Sequence, residues 1–472
     1  MTTLRFHGSA AVLLLPLALF VAVTARLFIS EAAFDLTGLA AAGVLTLFSG
    51  SLLAKSPSEY WKAAVRGASS ELTGTVVLIL IASGIFSAMM KASGVADGLV
   101  FLGGMLHLTG HAFTVFVLLA SSLMAAATGS SIGTLLAAMP IFFPAGVALG
   151  ADPAMLAGAV LSGAIFGDNL APVSDVTVIS SVTQRFRDGT PADIAGVVRT
   201  RLPYAMTALA VSMPVYAFMG ASRPVSEAAL SGDASALLML VPVAVLIAVA
   251  VRTRDVLMAI SAGAVTGTAT GLLIGRLSFA TIFAADDGRL SGFLISGISN
   301  VSPIILLCVT LFAFTGIVRE AGVPDMMAKA LEAGSAGRPT ALRTDLYLSA
   351  ATLVVTTLFA AVTSASVALV GSLTDDIGRA SNVHPYRRSH ILSGLANSLP
   401  VLMPFSAFVL ITMAAVSGLE GAAAVTPFTL MTAAFYPIAL FLVFGFMVLT
   451  GTGRMMETPE PEAAEAKTAT AL

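Results

Sequence analysis

The chain has 472 residues, of which 57% are hydrophobic and only 11% are charged. A soluble domain of this size would carry charge on about a quarter of its residues, so this composition excludes an ordinary soluble catalytic domain. The net charge of −2, with scattered basic residues, excludes a nucleic-acid-binding surface, and the single cysteine, Cys308, excludes a disulfide framework. The composition predicts an all-α polytopic membrane protein.

Long stretches without any charged residue follow one another along the chain. They run over 6–25, 36–54, 72–90, 98–151, 202–222, 234–251, 256–275, 290–318, 346–374, 389–419 and 421–453. A membrane-spanning helix needs about 20 apolar residues, so most stretches can cross once and 98–151 can cross twice. Together with the segment around 153–183, they predict about 10–12 transmembrane elements. Strand-like alternation is absent, which leaves helices to satisfy the backbone in lipid.

Short motifs in the first half of the chain recur in the second half. In the same order and at nearly the same offset, Phe86–Asp97 resembles Phe314–Asp325, Thr128–Ser131 resembles Thr363–Ser366, and Leu161–Gly163 with Pro172–Ser174 resembles Leu392–Gly394 with Pro404–Ser406. The matches predict two transmembrane repeats, 1–225 and 226–452, followed by a disordered tail, 453–472. Such repeats are common in secondary transporters, where the copies are often inverted and contain broken helices or re-entrant hairpins. An inverted relation is expected here.

The segment 163–181 carries two carboxylates, Asp168 and Asp175, in an otherwise apolar neighbourhood. Gly167 and Pro172 oppose a regular helix, and Pro172 cannot donate to the backbone ladder. Unwound backbone at membrane depth is tolerated where it is packed in protein or lines a cavity, and acids there mark ion or proton pathways. The segment therefore predicts a cation site formed by Asp168, Asn169, Ser174, Asp175 and Thr177. The alternative is an interfacial loop in which Asp175 caps a helix.

The same carboxylates need no additional group for coupling to protons. Burial favours the protonated form of a carboxylate, and a bound cation favours the charged form. A proton and a cation would then compete for one site, which is the minimal requirement for exchange.

Hydroxyl and amide groups cluster at matched positions of the two halves. The residues predicted to contact a transported substrate are Thr128, Ser130, Ser131, Thr363, Ser364, Ser366, Asn397 and Ser398. The alternative for each single hydroxyl is close packing of small residues between helices. Recurrence of the clusters in both halves favours a binding role.

Basic residues predict the orientation and the edges of the spans. The densest basic loops, which are expected in the cytoplasm, contain Lys55, Lys62 and Arg66, and Arg185, Arg187, Arg199 and Arg201. Arg387 and Arg388 are interpreted as cytoplasm-facing or interfacial anchors, with anion binding as the alternative. Asp375 and Asp376 are expected in a solvated loop, with a position near a pore entrance of the second half as the alternative.

The run Gly167–Ser181 resembles the Gly-Asp-x-x-(Ser/Ala)-Pro-x-Ser-Asp-Thr-Thr signature of the NhaC-type sodium/proton antiporter family, within the ion transporter superfamily. Val176 departs from the signature. The resemblance implies a multi-pass transporter of the bacterial inner membrane that exchanges sodium for protons, although some members carry organic acids or amino acids. Relatives often have acids where this chain has Leu392 or Ser393, and Ala365, which leaves room for an organic substrate.

The leading hypothesis is therefore cation-coupled secondary transport, with sodium/proton exchange through the acidic site. The alternative is sodium- or proton-coupled transport of a small organic solute, such as an amino acid or a carboxylate. A third class, a channel or membrane scaffold, would show no coupled flux. No enzymatic activity and no cofactor are expected besides a sodium ion, a proton or both as coupling ions. The expected partners are the lipid bilayer and the transported cation or solute, and the oligomeric state stays open between a monomer and a homodimer.

Overall fold

The computed structural model describes residues 4–8, 10–27, 36–108, 110–221, 233–253, 255–286, 289–323, 326 and 340–457. The first-half helices are α1 (Leu14–Ala25), α2 (Leu36–Leu53), α3 (Pro57–Ala68), α4 (Glu71–Ser93), α5 (Val95–Met105), α6 (Gly110–Thr128), α7 (Ser131–Ala148), α8 (Pro153–Leu170), α9 (Asp175–Val182) and α10 (Ile194–Met219). The second-half helices are α11 (Leu240–Thr253), α12 (Val256–Leu273), α13 (Phe279–Ile282), α14 (Phe293–Glu320), α15 (Ala341–Leu358), α16 (Thr363–Ala380), α17 (Pro385–Ala396), α18 (Ala407–Val416), α19 (Pro427–Ala433) and α20 (Phe435–Thr450). Short 3-10 turns cover Ala10–Leu13, Ala234–Met239, Leu399–Leu402 and Ala422–Ala424. Strands β1 (Ala284–Asp286) and β2 (Arg289–Ser291) form one antiparallel hairpin.

The helices confirm a polytopic α-helical membrane protein. In the described part of the chain, eight helices are long and apolar enough to cross a membrane, and two bent helix pairs raise the number to ten. Ten is the lower bound of the predicted range. The apolar helices Thr37–Leu53 and Val95–Met105 are shorter than a full span, which accounts for much of the difference.

Helices α6–α7 and α15–α16 form two helical hairpins. The base of each hairpin, which is the end opposite its tight turn, lies at a different end of α10. The first base is closed by Gly110 N–H donating to Leu149 O at 2.8 Å, and the neighbouring Asp152 N–H donates to the last turn of α10 at Gly220 O. The second base lies beside the start of α10, because the Tyr386 hydroxyl donates to Asp193 Oδ1 at 2.7 Å. Since α10 has 26 residues and is about 39 Å long, the hairpins enter the bundle from opposite sides.

The packing of the two halves is reciprocal. Helix α7 packs against α18 and α16 packs against α9; α10 packs against α17 and α20 packs against α8. In both halves the tip of the hairpin, which is the turn between its two helices, also lies against a helix break. Ala407 N–H donates to Ala360 O at 2.8 Å in the second half, and a Cβ added to Gly129 would lie 3.1 Å from Ser174 N in the first. Each of these contacts made by a helix of one half therefore has a counterpart made by the matched helix of the other half.

The matched helices α4 and α14 lie side by side and run antiparallel. A Cβ added to Gly84, within α4, would lie 2.5 Å from Gly297 O near the start of α14. Thr73, in the first turn of α4, donates to Gly67 O in the last turn of α3, and Gly67 approaches Gly316 near the end of α14. The start of α4 therefore lies near the end of α14, and the two helices run in opposite directions. An inverted duplication produces this arrangement, and the inverted relation itself stays a prediction. Asp325, at the end of the matched segment, lies outside the described residues.

Several charged residues expected at the membrane surface are buried instead. Arg387 and Arg388 lie within α17 and are fully buried. Arg387 pairs with Asp345 at 3.0 Å, and Arg388 pairs with Asp375 at 2.7 Å. The interpretation of the arginines as cytoplasm-facing or interfacial anchors was therefore wrong, and so was the solvated loop for Asp375, which is buried within α16. Asp376 belongs to the same helix and not to a loop. Pairing with carboxylates and backbone carbonyls makes this burial tolerable.

The end of the chain also packs onto this region. Arg454 forms an ion pair with Asp345 at 3.1 Å, and Met456 pairs with Val383 through backbone hydrogen bonds in an isolated antiparallel β-bridge. Residues 458–472 of the predicted tail lie outside the described residues.

Candidate functional site

A break between α8 and α9 interrupts one membrane-crossing segment. Helix α8 ends at Leu170 and α9 begins at Asp175, so residues 171–174 form the break and contain Pro172. Gly167 remains inside α8, contrary to its expected helix-breaking role. A Cβ there would lie 2.1 Å from Ser122 O on α6, so this glycine permits close packing of α6 on α8.

Asp168 lies two residues before the end of α8 and only 4% of it is exposed. The Ser131 hydroxyl donates to Asp168 Oδ2 at 3.0 Å. Ser131 begins α7, directly after the capping residue Ser130, whose hydroxyl accepts from Gly133 N–H at 3.1 Å. The preceding Gly129 has φ 69°, the left-handed conformation that favours glycine at a tight turn. The hairpin tip thus delivers one predicted substrate-binding hydroxyl directly to the predicted cation site.

Ser174 and Asp175 are neighbours in the chain but differ in their exposure to solvent. Ser174 is buried beside Asp168, and its hydroxyl is close enough to act on the Asp168 carboxylate. Asp175, the first residue of α9, is exposed but close enough to act electrostatically on Asp168. One acid is therefore enclosed and the other is accessible.

Asn169 and Thr177 face a residue that the sequence did not identify. Arg201 is fully buried, and its NH1 group donates to Asn169 O at 2.8 Å and to Thr177 Oγ1 at 3.2 Å. The prediction that Arg201 belongs to a cytoplasmic loop was wrong, because it lies within α10 together with Arg199. The signal available in the sequence was a helical pattern that begins before the uncharged stretch 202–222, which would have placed Arg201 in the helix.

Asn397 and Ser398 lie in the second break, between α17 and α18. Asn397 is 1% exposed, and neither its amide nitrogen nor its amide oxygen has a hydrogen-bond partner within the described residues. Ser398 and Ser366 are buried and donate to backbone carbonyls one turn earlier, as Thr128 does in the first half. The remaining two positions of this set are the buried Thr363 and the half-buried Ser364.

The chemistry of the first site suits a small hard cation. Its donors are carboxylate and hydroxyl oxygens, which alkali and alkaline-earth ions prefer. Over the ranges that the structure describes, no group of three His, Cys, Asp or Glu residues is arranged to hold a metal ion. The oxygens around Asp168 can therefore replace part of the hydration shell of a small cation.

Residues 3–221 match the sequence model of the Na+/H+ antiporter family. These residues make up just under half of the chain, and they include the acidic signature Gly167–Ser181.

Individual relatives match parts of the chain. The malate-2H+/Na+-lactate antiporter of Bacillus subtilis (strain 168) is 31% identical over 37% of this chain and 36% of that protein. The Na+/H+ antiporter NhaC of Alkalihalophilus pseudofirmus is 28% identical over 54% of this chain and 58% of that protein. The matches thus span less than two thirds of either relative. Among solved structures, the YdaH transporter of Alcanivorax borkumensis is 13% identical over 83% of this chain and 88% of that chain, with a TM-score of 0.38.

Proposed function

We propose that the chain is a secondary transporter that exchanges sodium ions for protons across the bacterial inner (plasma) membrane. The observation that carries this proposal is the enclosed Asp168 carboxylate at a helix break, hydrogen-bonded by Ser131 from the hairpin tip. The similarity of residues 3–221 to the sequence model of the Na+/H+ antiporter family supports the choice of ions.

Asp168 binds either a sodium ion or a proton, and never both. A charged carboxylate in a buried site is costly unless a cation or a proton neutralises it. The hydroxyls of Ser131 and Ser174 are placed to contribute neutral oxygens to the ion. Asp175, which is accessible, provides a negative charge at the approach to the enclosed acid.

Asp168→Asn and Asp175→Asn test the proposal in membrane vesicles, with dye quenching as the readout of sodium-driven proton movement. Asn is nearly isosteric with Asp, so each variant should fold but lose coupled transport. Wild-type affinity for sodium should weaken as the pH falls, because protons compete for the same oxygens, and Asp168→Asn should abolish this dependence. Asp188→Asn, an exposed acid that caps its own loop, is the matched control and should behave like wild type.

Exchange at the wild-type rate with both Asp168 and Asp175 replaced would refute the mechanism. A protein that folds normally but moves no sodium and no proton would refute the proposed activity itself.

The second candidate function is sodium- or proton-coupled transport of a small organic solute. The observation that favours it is Asn397, whose buried amide is free to bond a ligand at the second break. The Bacillus subtilis relative, named for malate and lactate, makes carboxylates the first solutes to test. Asn397→Ala and Ser398→Ala should then change which solute is carried more than they change ion coupling, since neither group titrates. Uptake of a panel of amino and carboxylic acids without any sodium/proton exchange would favour this candidate.

A further inference from the structure

Three arginines in the described part of the chain are fully buried, and Arg201 differs from the other two in its partners. Arg387 and Arg388 each pair with a carboxylate. No carboxylate among the described residues lies within ion-pair distance of Arg201, although a buried charge without a counter-charge is strongly destabilising. This arginine therefore requires a negative charge nearby in at least part of its working cycle.

The guanidinium of Arg201 is held by neutral groups with one short hydrogen bond. NH1 donates to Asn169 O at 2.8 Å and more weakly to Thr177 Oγ1 at 3.2 Å. NH2 donates to Ser180 Oγ at 3.4 Å, and Nε has no partner within the described residues. Neutral acceptors at these distances hold the group in place but do not neutralise it.

Asp168 is the buried acid beside this guanidinium, because it directly precedes Asn169, whose backbone oxygen accepts from Arg201 NH1. The other titratable groups around the pair are Asp175, His390 and Tyr436. Asp175 is exposed, His390 offers no negative charge, and the Tyr436 hydroxyl accepts a hydrogen bond from Asn169. Asp168 is therefore the counter-charge that the local geometry offers.

We propose that Arg201 is a tethered cation that competes with the coupling sodium ion for Asp168. When Asp168 holds neither sodium nor a proton, the guanidinium pairs with it; when the acid is loaded, the guanidinium rests on Asn169, Thr177 and Ser180. The resting position is the one seen in the structure. The idea rests on the proposed exchange function and adds a residue that sets sodium affinity and helps sodium to leave.

Arg201→Gln and Arg201→Lys test the proposal at one fixed pH in proteoliposomes, with the apparent KM for sodium and kcat measured separately. Without the competing charge, Arg201→Gln should lower KM about tenfold, because a unit charge a few ångströms away acts strongly in a buried site. Its kcat should fall as well, because sodium leaves more slowly. Arg201→Lys keeps a cation and should return KM to within about threefold of wild type. A purely structural arginine would reduce the yield of folded protein without lowering KM.

Ser180→Ala is the second variant, since it removes one resting acceptor without touching Asp168. It should raise KM for sodium by shifting the guanidinium toward the acid, and this effect should disappear in the Arg201→Gln background. An unchanged KM in both Ser180→Ala and Arg201→Gln would overturn the role of Arg201 while leaving sodium/proton exchange intact. If Arg201→Gln does not fold, an unchanged KM in Ser180→Ala alone overturns it. Wild-type protein without any exchange would overturn both proposals.

Discussion

The ion pair between Asp345 and Arg387 offers the most direct test of how this fold tolerates buried charge. Asp345 Oδ2 accepts from Arg387 NH2 at 3.0 Å and from Arg454 NH2 at 3.1 Å, and both Asp345 and Arg387 are fully buried. Asp345→Asn removes the negative charge but keeps the shape of the side chain. Removing one partner of a buried pair costs roughly 3–5 kcal/mol, because the other charge is left uncompensated.

The expected loss for Asp345→Asn lies near the lower end of that range, about 3 kcal/mol. Arg387 keeps two backbone acceptors, Met447 O at 2.7 Å and Thr452 O at 2.8 Å, which offset part of the lost interaction. Arg454 is partly exposed, so water screens its contribution.

Thermal unfolding of the detergent-solubilised protein measures the effect. Glu59→Gln breaks the exposed pair with Lys62 and is the matched control, expected to leave the unfolding temperature almost unchanged. The double replacement Asp345→Leu with Arg387→Met should recover much of the loss, since well-packed apolar residues often replace a buried pair at little cost. An unfolding temperature for Asp345→Asn equal to that of Glu59→Gln would refute the reasoning.

Two further predictions concern packing and topology. Gly167→Ala should reduce the yield of monodisperse protein in size-exclusion chromatography, because the added methyl group meets the backbone of α6, whereas Gly445→Ala, which has open space around it, should not; equal yields would contradict this role for Gly167. Cysteines introduced at Lys91 and Arg319 should be labelled from opposite sides of the membrane, and the buried Cys308 should add little background. Labelling of both from the same side would exclude an inverted relation but not a duplication.

The helix break and the enclosed acid could be predicted because both depend on local chemistry. Pro172 lacks a backbone N–H in any environment, so it interrupts a helix. An acid between two apolar runs must face the interior of the helix bundle or a water-filled cavity, because its exposure to lipid is costly. The burial of Asp168 follows the same rule. Asp175, predicted with it, is exposed at the start of α9 because the break turns the chain between them.

The buried arginines could not be predicted because their environment depends on partners far away in sequence. Hydropathy counts Arg387 as a charge to be placed in water, but Asp345 and two backbone carbonyls satisfy it inside the bundle. Arg201 was assigned to a loop for the same reason, since Asn169 and Thr177 become its acceptors only when α10 packs against α8 and α9. The positions of the charged residues are known from the sequence, but their ion-pair and hydrogen-bond partners depend on how the helices pack.

The second break has a consequence for how such a protein can evolve. A gene that duplicates starts with two equivalent sets of functional residues, and only one set must keep the original task. The carboxylate Asp168 lies beside the first break, while the second break holds the uncharged Asn397 and Ser398. If the two halves arose by duplication and Asp168 binds the ion as proposed, mutations at the second break can accumulate without removing the ion-binding acid. Selection for a new transported solute is therefore expected to change residues of the second half. Related proteins that carry different solutes should differ most there.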